Sequence, residues 1–323
     1  MRILIRLLTL TSLCMISVGA VAQSPPWPSK PIKLVSPYAP GGTNDITARL
    51  VAKFMQERLG QPVLVENKPG ANNRLATELV ARAPADGYTL FWVAAPFTVN
   101  PSMYDKLPYD TIKDFTPIAH TVSLPILFSV PAASPAKSVK EFVELAARDP
   151  KQASVCSPAT GSGPHLAMEL LAWSSGAPLV HIPYKGDAPA VNDLIGGQVA
   201  GCMNAVGTPL PHVRAGRLRA LAVVSHQRIA QLPDTPTFAE AGFGKVDAYA
   251  WFGLLAPAGL PQPIVERLNA EVNAALKDQE IREKFETIAA IPLGGSPQQF
   301  ADFIKADISK WAKVVADRNL KAK

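Results

Sequence analysis

The chain has 323 residues, of which 48% are hydrophobic and 18% charged, and this balance predicts a globular protein of roughly two domains. The formal net charge is +6, but lysine and arginine form no dense runs, which argues against a nucleic-acid-binding function.

The amino-terminal residues 1–22 have the pattern of a secretory signal peptide. Arg2 and Arg6 supply a basic start, residues 7–21 are apolar, and Ala-Val-Ala at 20–22 fits a cleavage site. The apolar run is shorter than the about 20 residues that a transmembrane helix needs. We therefore expect an exported mature protein that, in a Gram-negative bacterium, is located in the periplasm. Removing two arginines lowers its net charge from +6 to +4.

A strand, a glycine turn and a helix open the mature chain. Ile32–Ser36 is a short aliphatic run typical of a buried strand, and Gly41 and Gly42 leave backbone N–H groups uncovered. Helical spacing of apolar residues resumes after Thr43. Exposed donors and the positive end of the helix dipole favour an anion site here. Taken alone, the two glycines are better explained as a tight turn, and no nucleotide-binding motif surrounds them.

The next elements alternate in type. Strands are predicted at 62–66 and 88–94 with a helix between them, and 96–110 is predicted to be a loop because of its Asn-Pro and Leu-Pro pairs. Another strand is predicted at 124–130. Ser138 then begins a helix as part of a capping box.

A second strand–turn–helix unit repeats the layout of the first. The strand at Ala153–Cys156 runs into a turn of small residues at 157–165, and an amphipathic helix follows from Leu166. The remaining predicted elements are strands at 179–182, 198–204, 218–224 and 249–255, and helices at 188–195, 262–276, 279–288 and 297–315. Alternating strands and helices predict an α/β architecture with parallel sheets, and two such units suggest two lobes that face one cleft.

Short motifs along the mature chain resemble those of one family. The motifs are Trp27–Ile32, Pro40–Gly42, Val65–Ala71, Asp86–Leu90, Leu107–Asp110, His181–Gly186, Gly196–Val199, Leu218–Val223 and Leu255–Gly259. As a set, and in this order, they resemble the Bug receptor family, the extracytoplasmic solute receptors of tripartite tricarboxylate transporters. The resemblance covers essentially the whole mature chain.

The resemblance implies a type II periplasmic binding protein fold, in which a ligand cleft separates two α/β lobes. It also implies two crossings between the lobes, near 124–133 and 249–258. Residues 23–124 and 250–323 would then form lobe 1, and 125–249 would form lobe 2.

The resemblance also implies a function. We expect a receptor without enzymatic activity, cofactor or metal, which binds a small carboxylate as a monomer and delivers it to membrane permease subunits. Some members of the family serve in sensing, so a receptor for a signalling partner stays open as an alternative. An exported hydrolase is a weaker one.

Candidate ligand-binding residues follow from the two strand–turn–helix units and from the family motifs. They are Tyr38, Gly41, Gly42, Thr43, Ala95, Thr98, Ser157, Thr160, Ser162, Gly163, His165 and Asn204. The hydroxyl residues of the second turn are equally well explained as helix caps, and a packing or capping role is favoured for His165. Lys185 and Arg74 are interpreted as surface charges, although a ligand contact by Arg74 stays open.

Position 204 bears on the kind of carboxylate. Many members of the resembled family have an aspartate there, which could pair with the ammonium group of a substrate. Asn204 carries no charge, so we expect a ligand carboxylate without an ammonium group.

Two cysteines, Cys156 and Cys202, remain after removal of the signal peptide. In the usual strand order of the resembled fold they lie on neighbouring strands; free thiols are favoured, and a disulfide stays open. The cysteines and histidines lack the spacing of a zinc site. Cys156, Ser162 and His165 match no known nucleophile motif, so the sequence favours a binding protein over an enzyme.

Overall fold

The computed structural model describes residues 27–318 and 320, so the predicted signal peptide lies outside the described residues. Up to the first crossing between sheets, the elements are β1 (Ile32–Ser36), α1 (Thr43–Leu59), β2 (Val63–Asn67), α2 (Arg74–Ala81), β3 (Thr89–Ala94), α3 (Pro96–Met103) and β4 (Phe115–Leu124). The middle part contains β5 (Ile126–Pro131), α4 (Val139–Arg148), β6 (Ser154–Ser157), α5 (Gly163–Ser175), β7 (Val180–Pro183), α6 (Asp187–Ile195), β8 (Gly201–Ala205), α7 (Leu210–Arg214) and β9 (Leu218–Val224). The last part contains β10 (Ala250–Pro257), α8 (Gln262–Lys277), α9 (Gln279–Thr287), β11 (Ile291–Pro292) and α10 (Pro297–Arg318).

The strands form two sheets, one in each lobe. The sheet of lobe 1 has the order β11-β4-β10-β3-β1-β2, and the sheet of lobe 2 has the order β7-β6-β8-β5-β9. Strands joined by crossover helices are parallel, as β1, β2 and β3 are in lobe 1 and β6, β7 and β8 are in lobe 2. This is the mixed two-lobe α/β fold expected from the sequence.

The expectation of purely parallel sheets is wrong for three strands: the short β11 runs antiparallel to β4, and the other two are the strands that cross between the lobes. In lobe 1, β10 runs antiparallel to β3 and β4; in lobe 2, β5 runs antiparallel to β8 and β9. Each of these strands enters its sheet directly from the other lobe, without a crossover helix that would reverse its direction. Only Pro125 separates β4 from β5.

The segment predicted as a loop at 96–110 contains helix α3. Proline is tolerated in the first turn of a helix, where its missing N–H has no intrahelical partner, and Pro96 begins α3. Phe97, Val99 and Met103 are buried in lobe 1, so tertiary packing outweighs the turn signal of Pro101 inside the helix.

Helix α10 returns to lobe 1 and packs on α3 and β4. Its Asp307 carboxylate accepts hydrogen bonds from the Thr98 hydroxyl at 2.6 Å and from Trp311 Nε1 at 3.0 Å. Its Phe300 ring lies against the backbone of Gly253 in β10, where a Cβ would be only 2.2 Å from the ring. Glycine at this position therefore lets the helix lie close on the sheet.

A disulfide joins Cys156 to Cys202, so the favoured expectation of free thiols is wrong. The two cysteines are directly paired in the parallel ladder of β6 and β8, which brings their Cα atoms to 4.4 Å. This separation lies within the range that a disulfide can span. The bridge fixes two strands whose carboxyl ends face lobe 1.

Because Cys156 and Cys202 are bonded to each other, a protein that begins after residue 22 should contain no free thiol when unfolded and unreduced, and two should appear after reduction. The bridge closes a loop with a sequence separation of 46 residues. Replacing both cysteines by serine should lower the free energy of unfolding by about 4 kcal/mol, mainly by freeing the unfolded chain. Thiol titration and urea unfolding check the two statements. Two free thiols before reduction would disprove the bridge.

Candidate functional site

Three helices begin between the two sheets. Helix α1 follows β1 through residues 37–42, α5 follows β6 through 158–162, and α6 follows β7 through 184–186. The turns into α1 and α6 hold Gly41 and Gly186 at φ angles of 84° and 134°, which L side chains rarely adopt. The positive ends of three helix dipoles thus border the same space.

The two lobes meet backbone to backbone at the starts of α1 and α6. The Ala39 N–H donates to the Lys185 carbonyl at 2.8 Å. A Cβ on Gly42 would lie 3.4 Å from both the Cβ and the backbone nitrogen of Asp187. Position 42 therefore has no room for a branched side chain in this arrangement of the lobes.

Thr208 of lobe 2 caps helix α1 of lobe 1. The N-cap residue of α1 is Gly42, which has no side chain to accept from the first N–H groups of the helix. The Thr208 hydroxyl accepts from the Thr43 backbone N–H at 2.9 Å and lies 2.7 Å from the Thr43 hydroxyl. Both threonines are buried. This cap on the Thr43 N–H therefore exists only when the lobes are together.

A narrow cavity of about 10 Å³ lies beside this contact. Residues from both lobes and from the second crossing line it: Tyr38, Ala94, Ala95, Pro158, Ser162, Gly163, Pro164, Asp187, Ala205, Ala250, Trp251 and Phe252. Among these lining residues, Asp187 is the one ionisable at neutral pH, and none is basic.

Asp187 is the first residue of α6, and only 3% of it is exposed. Burial raises the pKa of its carboxyl group to about 6, although hydrogen bonds from Asn204 and from the Ala205 backbone act in the opposite direction. The Asn204 Nδ2 atom donates to Asp187 Oδ1 at 3.0 Å. Burial also raises the pKa of the Tyr38 hydroxyl, and the charge of Asp187 adds to this effect.

The structure places the twelve predicted residues in three groups. Four line the cavity: Tyr38, Ala95, Ser162 and Gly163. Four lie in the interlobe contact or beside Asp187: Gly41, Gly42, Thr43 and Asn204. The other four are not among the residues that line this cavity: Thr98, Ser157, Thr160 and His165.

Several of the peripheral residues have structural partners. Thr98 bonds to Asp307 inside lobe 1. His165 Nδ1 accepts from the Gly161 N–H at 3.0 Å, so the histidine orders the turn before α5. The guanidinium of Arg74 lies 4.1 Å from the centre of the Tyr104 ring, a cation–π contact that holds it outside the cavity lining.

Ser157 and His181 resemble a nucleophile and its base, with 2.7 Å between Oγ and Nε2. Burial beside His165 lowers the pKa of His181 to about 2, so its ring does not readily take up a proton. Ser157 is fully buried, and Cys156 is held in the disulfide. This pair therefore lacks the properties of a catalytic dyad.

Sequence reasoning missed Asp187, Trp251 and Pro158. The sequence signal that could have indicated Asp187 is the glycine directly before the start of its helix. An acidic residue in the first turn of a helix is, however, usually explained by its favourable interaction with the helix dipole. Trp251 belongs to β10, and no sequence pattern shows which side of this crossing strand faces the cavity.

Within residues 27–318 and 320, no three His, Cys, Asp or Glu side chains are grouped so that they could hold a metal ion. In the same part of the chain, no helix is long and apolar enough to cross a membrane.

Comparison with known proteins identifies the family of this two-lobe architecture. A model described as the tripartite tricarboxylate transporter family receptor matches residues 47–320. The chain belongs to this receptor family. BugT of Bordetella pertussis is 35% identical over 308 residues, which cover 95% of this chain and 94% of BugT. The resemblance inferred from the short motifs is confirmed.

Solved structures of similar proteins support the fold and the class. The periplasmic binding protein BugD is 32% identical, with a TM-score of 0.88 over 92% of this chain and 100% of BugD. An R. palustris protein solved with adipate is 35% identical, with a TM-score of 0.87 over 91% of this chain and 98% of that one. MatC of Rhodopseudomonas palustris, solved with malate, is 32% identical, with a TM-score of 0.85 over 90% and 100%. The family and these neighbours are solute-binding receptors.

Proposed function

We propose that this receptor captures a small carboxylate between its lobes and delivers it to the membrane subunits of a tripartite tricarboxylate transporter. The interlobe cavity carries the proposal, because both lobes line it and the Thr208 cap on α1 forms only when they meet. Adipate and malate in two similar structures support a carboxylate as the ligand class.

Donors for the carboxylate are available in lobe 1. The Nδ2 atoms of Asn44 and Asn73 are buried and have no hydrogen-bond acceptor within the described residues. Asn73 lies beside the Tyr38 hydroxyl, and Tyr38 lines the cavity. Two unpaired amide donors next to the α1 terminus suit an anion, because a ligand oxygen would satisfy them.

The predicted residues are assigned the roles that their positions support, and the Gly41 N–H, expected to face the ligand, donates to Asp45 Oδ2 at 3.0 Å. Gly41 and Gly42 allow the backbones to approach, and Thr43 receives the interlobe cap. Ser162 and Gly163 bring the α5 terminus to the cavity. We assign no turnover to the site, since Ser157 and His181 lack the properties of a catalytic pair.

Lobe boundaries, export and partners complete the proposal. Lobe 1 would comprise residues 23–124 and 250–323 and lobe 2 residues 125–249, in line with the strands of the two sheets. Residues 1–22 would be the signal peptide of a periplasmic monomer, because relatives of this chain are periplasmic binding proteins. Amino-terminal sequencing of the exported protein, expected to begin near Gln23, tests the export signal.

A thermal-shift screen with mono-, di- and tricarboxylates should identify at least one stabilising ligand. A ligand present at 100 times its dissociation constant stabilises the folded state by about 2.7 kcal/mol. Neutral sugars of similar size serve as the control and should give no shift. Absence of a shift with every carboxylate at millimolar concentration would contradict the proposed function.

Gly42→Val should abolish carboxylate binding while leaving each lobe folded. The valine methyl groups would meet the backbone of Asp187 and hold the lobes apart. The nearest neighbours of a Cβ at this position all belong to lobe 2, so no packing contact within lobe 1 is disturbed. Calorimetry measures affinity, and circular dichroism checks the fold. The matched control is Gly244→Val, where a Cβ finds its nearest neighbours at 3.9 Å. Unchanged affinity in Gly42→Val would refute the assigned cleft.

Deletion of the receptor from its source should abolish uptake of the identified carboxylate, because the proposed transporter receives its substrate from this protein. Radiolabelled uptake is measured in the deletion strain and in a strain complemented with Gly42→Val, which should remain defective. Normal uptake together with a lost transcriptional response to the carboxylate would instead support the sensory alternative.

A further inference from the structure

Asp187 is a buried carboxylate without a basic partner among the described residues. Only 3% of the residue is exposed, and none of the residues that line the same cavity is a lysine, arginine or histidine. Its protein partners are the amide Nδ2 of Asn204 and the backbone N–H of Ala205, which are uncharged. Buried carboxylates in proteins are normally paired with a cation, so this one is incomplete.

Asn204 supplies a second acceptor at the same place. The residue is fully buried, and because its Nδ2 atom donates to Asp187, its Oδ1 atom is the acceptor that remains. Oδ1 has no hydrogen-bond donor in the described part of the chain. An unpaired buried carbonyl costs free energy of the order of a lost hydrogen bond. An acceptor without a donor, Asn204 Oδ1, therefore lies beside a buried carboxylate without a basic partner.

A ligand ammonium group has the required chemistry. It carries a positive charge and three N–H donors, so it can pair with Asp187 and donate to Asn204 Oδ1 together. A ligand with only carboxylate groups would bring a second negative charge to an anionic cavity without a basic lining residue.

We propose that Asp187 and Asn204 Oδ1 together bind the ammonium group of an amino-carboxylate ligand. The receptor then prefers an amino acid to the corresponding acid without the amino group. This inference rests on the proposed function, because it names the class of carboxylate that the same cleft receives. It replaces the expectation drawn from Asn204 alone, since the structure places the carboxylate of Asp187 directly against that amide.

The arrangement also orients the ligand. The ammonium group faces the start of α6 in lobe 2, which leaves the carboxylate toward lobe 1, where Tyr38 lines the cavity and Asn73 lies beside its hydroxyl. Each lobe thus binds one end of the ligand. The approach of the two lobes brings the ammonium-binding and carboxylate-binding groups to the same ligand.

Proton linkage distinguishes the two kinds of ligand. The carboxyl of Asp187 has a pKa of about 6 because of burial, and the titratable group that faces it from lobe 1 is the Tyr38 hydroxyl, whose pKa is raised far above this range. An ammonium favours the ionised carboxylate, so binding at pH 6 should release protons. A ligand that is only anionic favours the protonated carboxyl, so its binding should take up protons.

The test compares matched ligands by calorimetry with the mature protein: aspartate against succinate, glutamate against glutarate, and 2-aminoadipate against adipate. In at least one pair the amino acid should bind at least tenfold more tightly and release protons at pH 6. Asp187→Asn should remove both the preference and the proton release. Asp193→Asn, a second aspartate on the same helix that bonds to Tyr184, is the matched control and should behave like the wild type.

The outcomes separate this inference from the proposed function. If no acid of either kind binds, both are overturned. If acids without an amino group bind as tightly as their amino analogues, or take up protons at pH 6, the receptor function stands and the ammonium site is refuted. If the preference persists in Asp187→Asn and also in Asp187→Ser, Asp187 does not provide it.

Discussion

The cap that Thr208 places on helix α1 is the interaction on which the site depends. A helix that begins at a glycine leaves its first N–H groups unsatisfied, and here the missing acceptor comes from the other lobe. Because Gly42 has no side chain, it cannot cap α1 itself, and the cap comes from the other lobe. The same lack of a side chain lets the two lobes approach closely at this position. The contact between the lobes therefore also completes the cap of helix α1.

The disulfide gives lobe 2 the rigidity that this arrangement needs. Cys156 lies next to Ser157, which ends β6, and Cys202 lies two residues before Asn204 in β8. The bond between these strands fixes the start of the turn into α5 relative to Asn204. The Asn204 side chain donates a hydrogen bond to the Asp187 carboxylate and so positions it. A covalent bond within lobe 2 therefore positions groups that face lobe 1.

Local patterns were sufficient for much of the fold. The strand at Ile32–Ser36, the capping box at Ser138 and the glycine turn at Gly41 follow from short-range chemistry that tertiary structure did not override. Helix α3 was missed because burial of Phe97 and Met103 outweighs an internal proline. The periodicity of apolar residues describes one segment of the sequence. It therefore carries no information about contacts between that segment and distant parts of the chain.

The same limit explains why eight of the twelve residues that line the candidate cavity were not predicted. Asp187 looks like an ordinary acid at a helix start until β8 places Asn204 beside it and Gly42 covers it from the other lobe. Asn204, taken alone, suggested a neutral site. The charge of a binding site is a property of the assembled cavity, and one residue in a sequence does not determine it.

The opposing energetics of Thr208 and Asp187 explain how such a receptor can depend on its ligand. The cap on α1 favours closure, whereas closure removes the Asp187 carboxylate from water and leaves Asn204 Oδ1 without a donor. A ligand that brings an ammonium group removes the unfavourable part and keeps the favourable one. It therefore binds the closed state more tightly than the open state, and only such a difference in affinity can shift the equilibrium between them. In the proposed site, a buried carboxylate that destabilises the closed form in the absence of a ligand would in this way make closure selective.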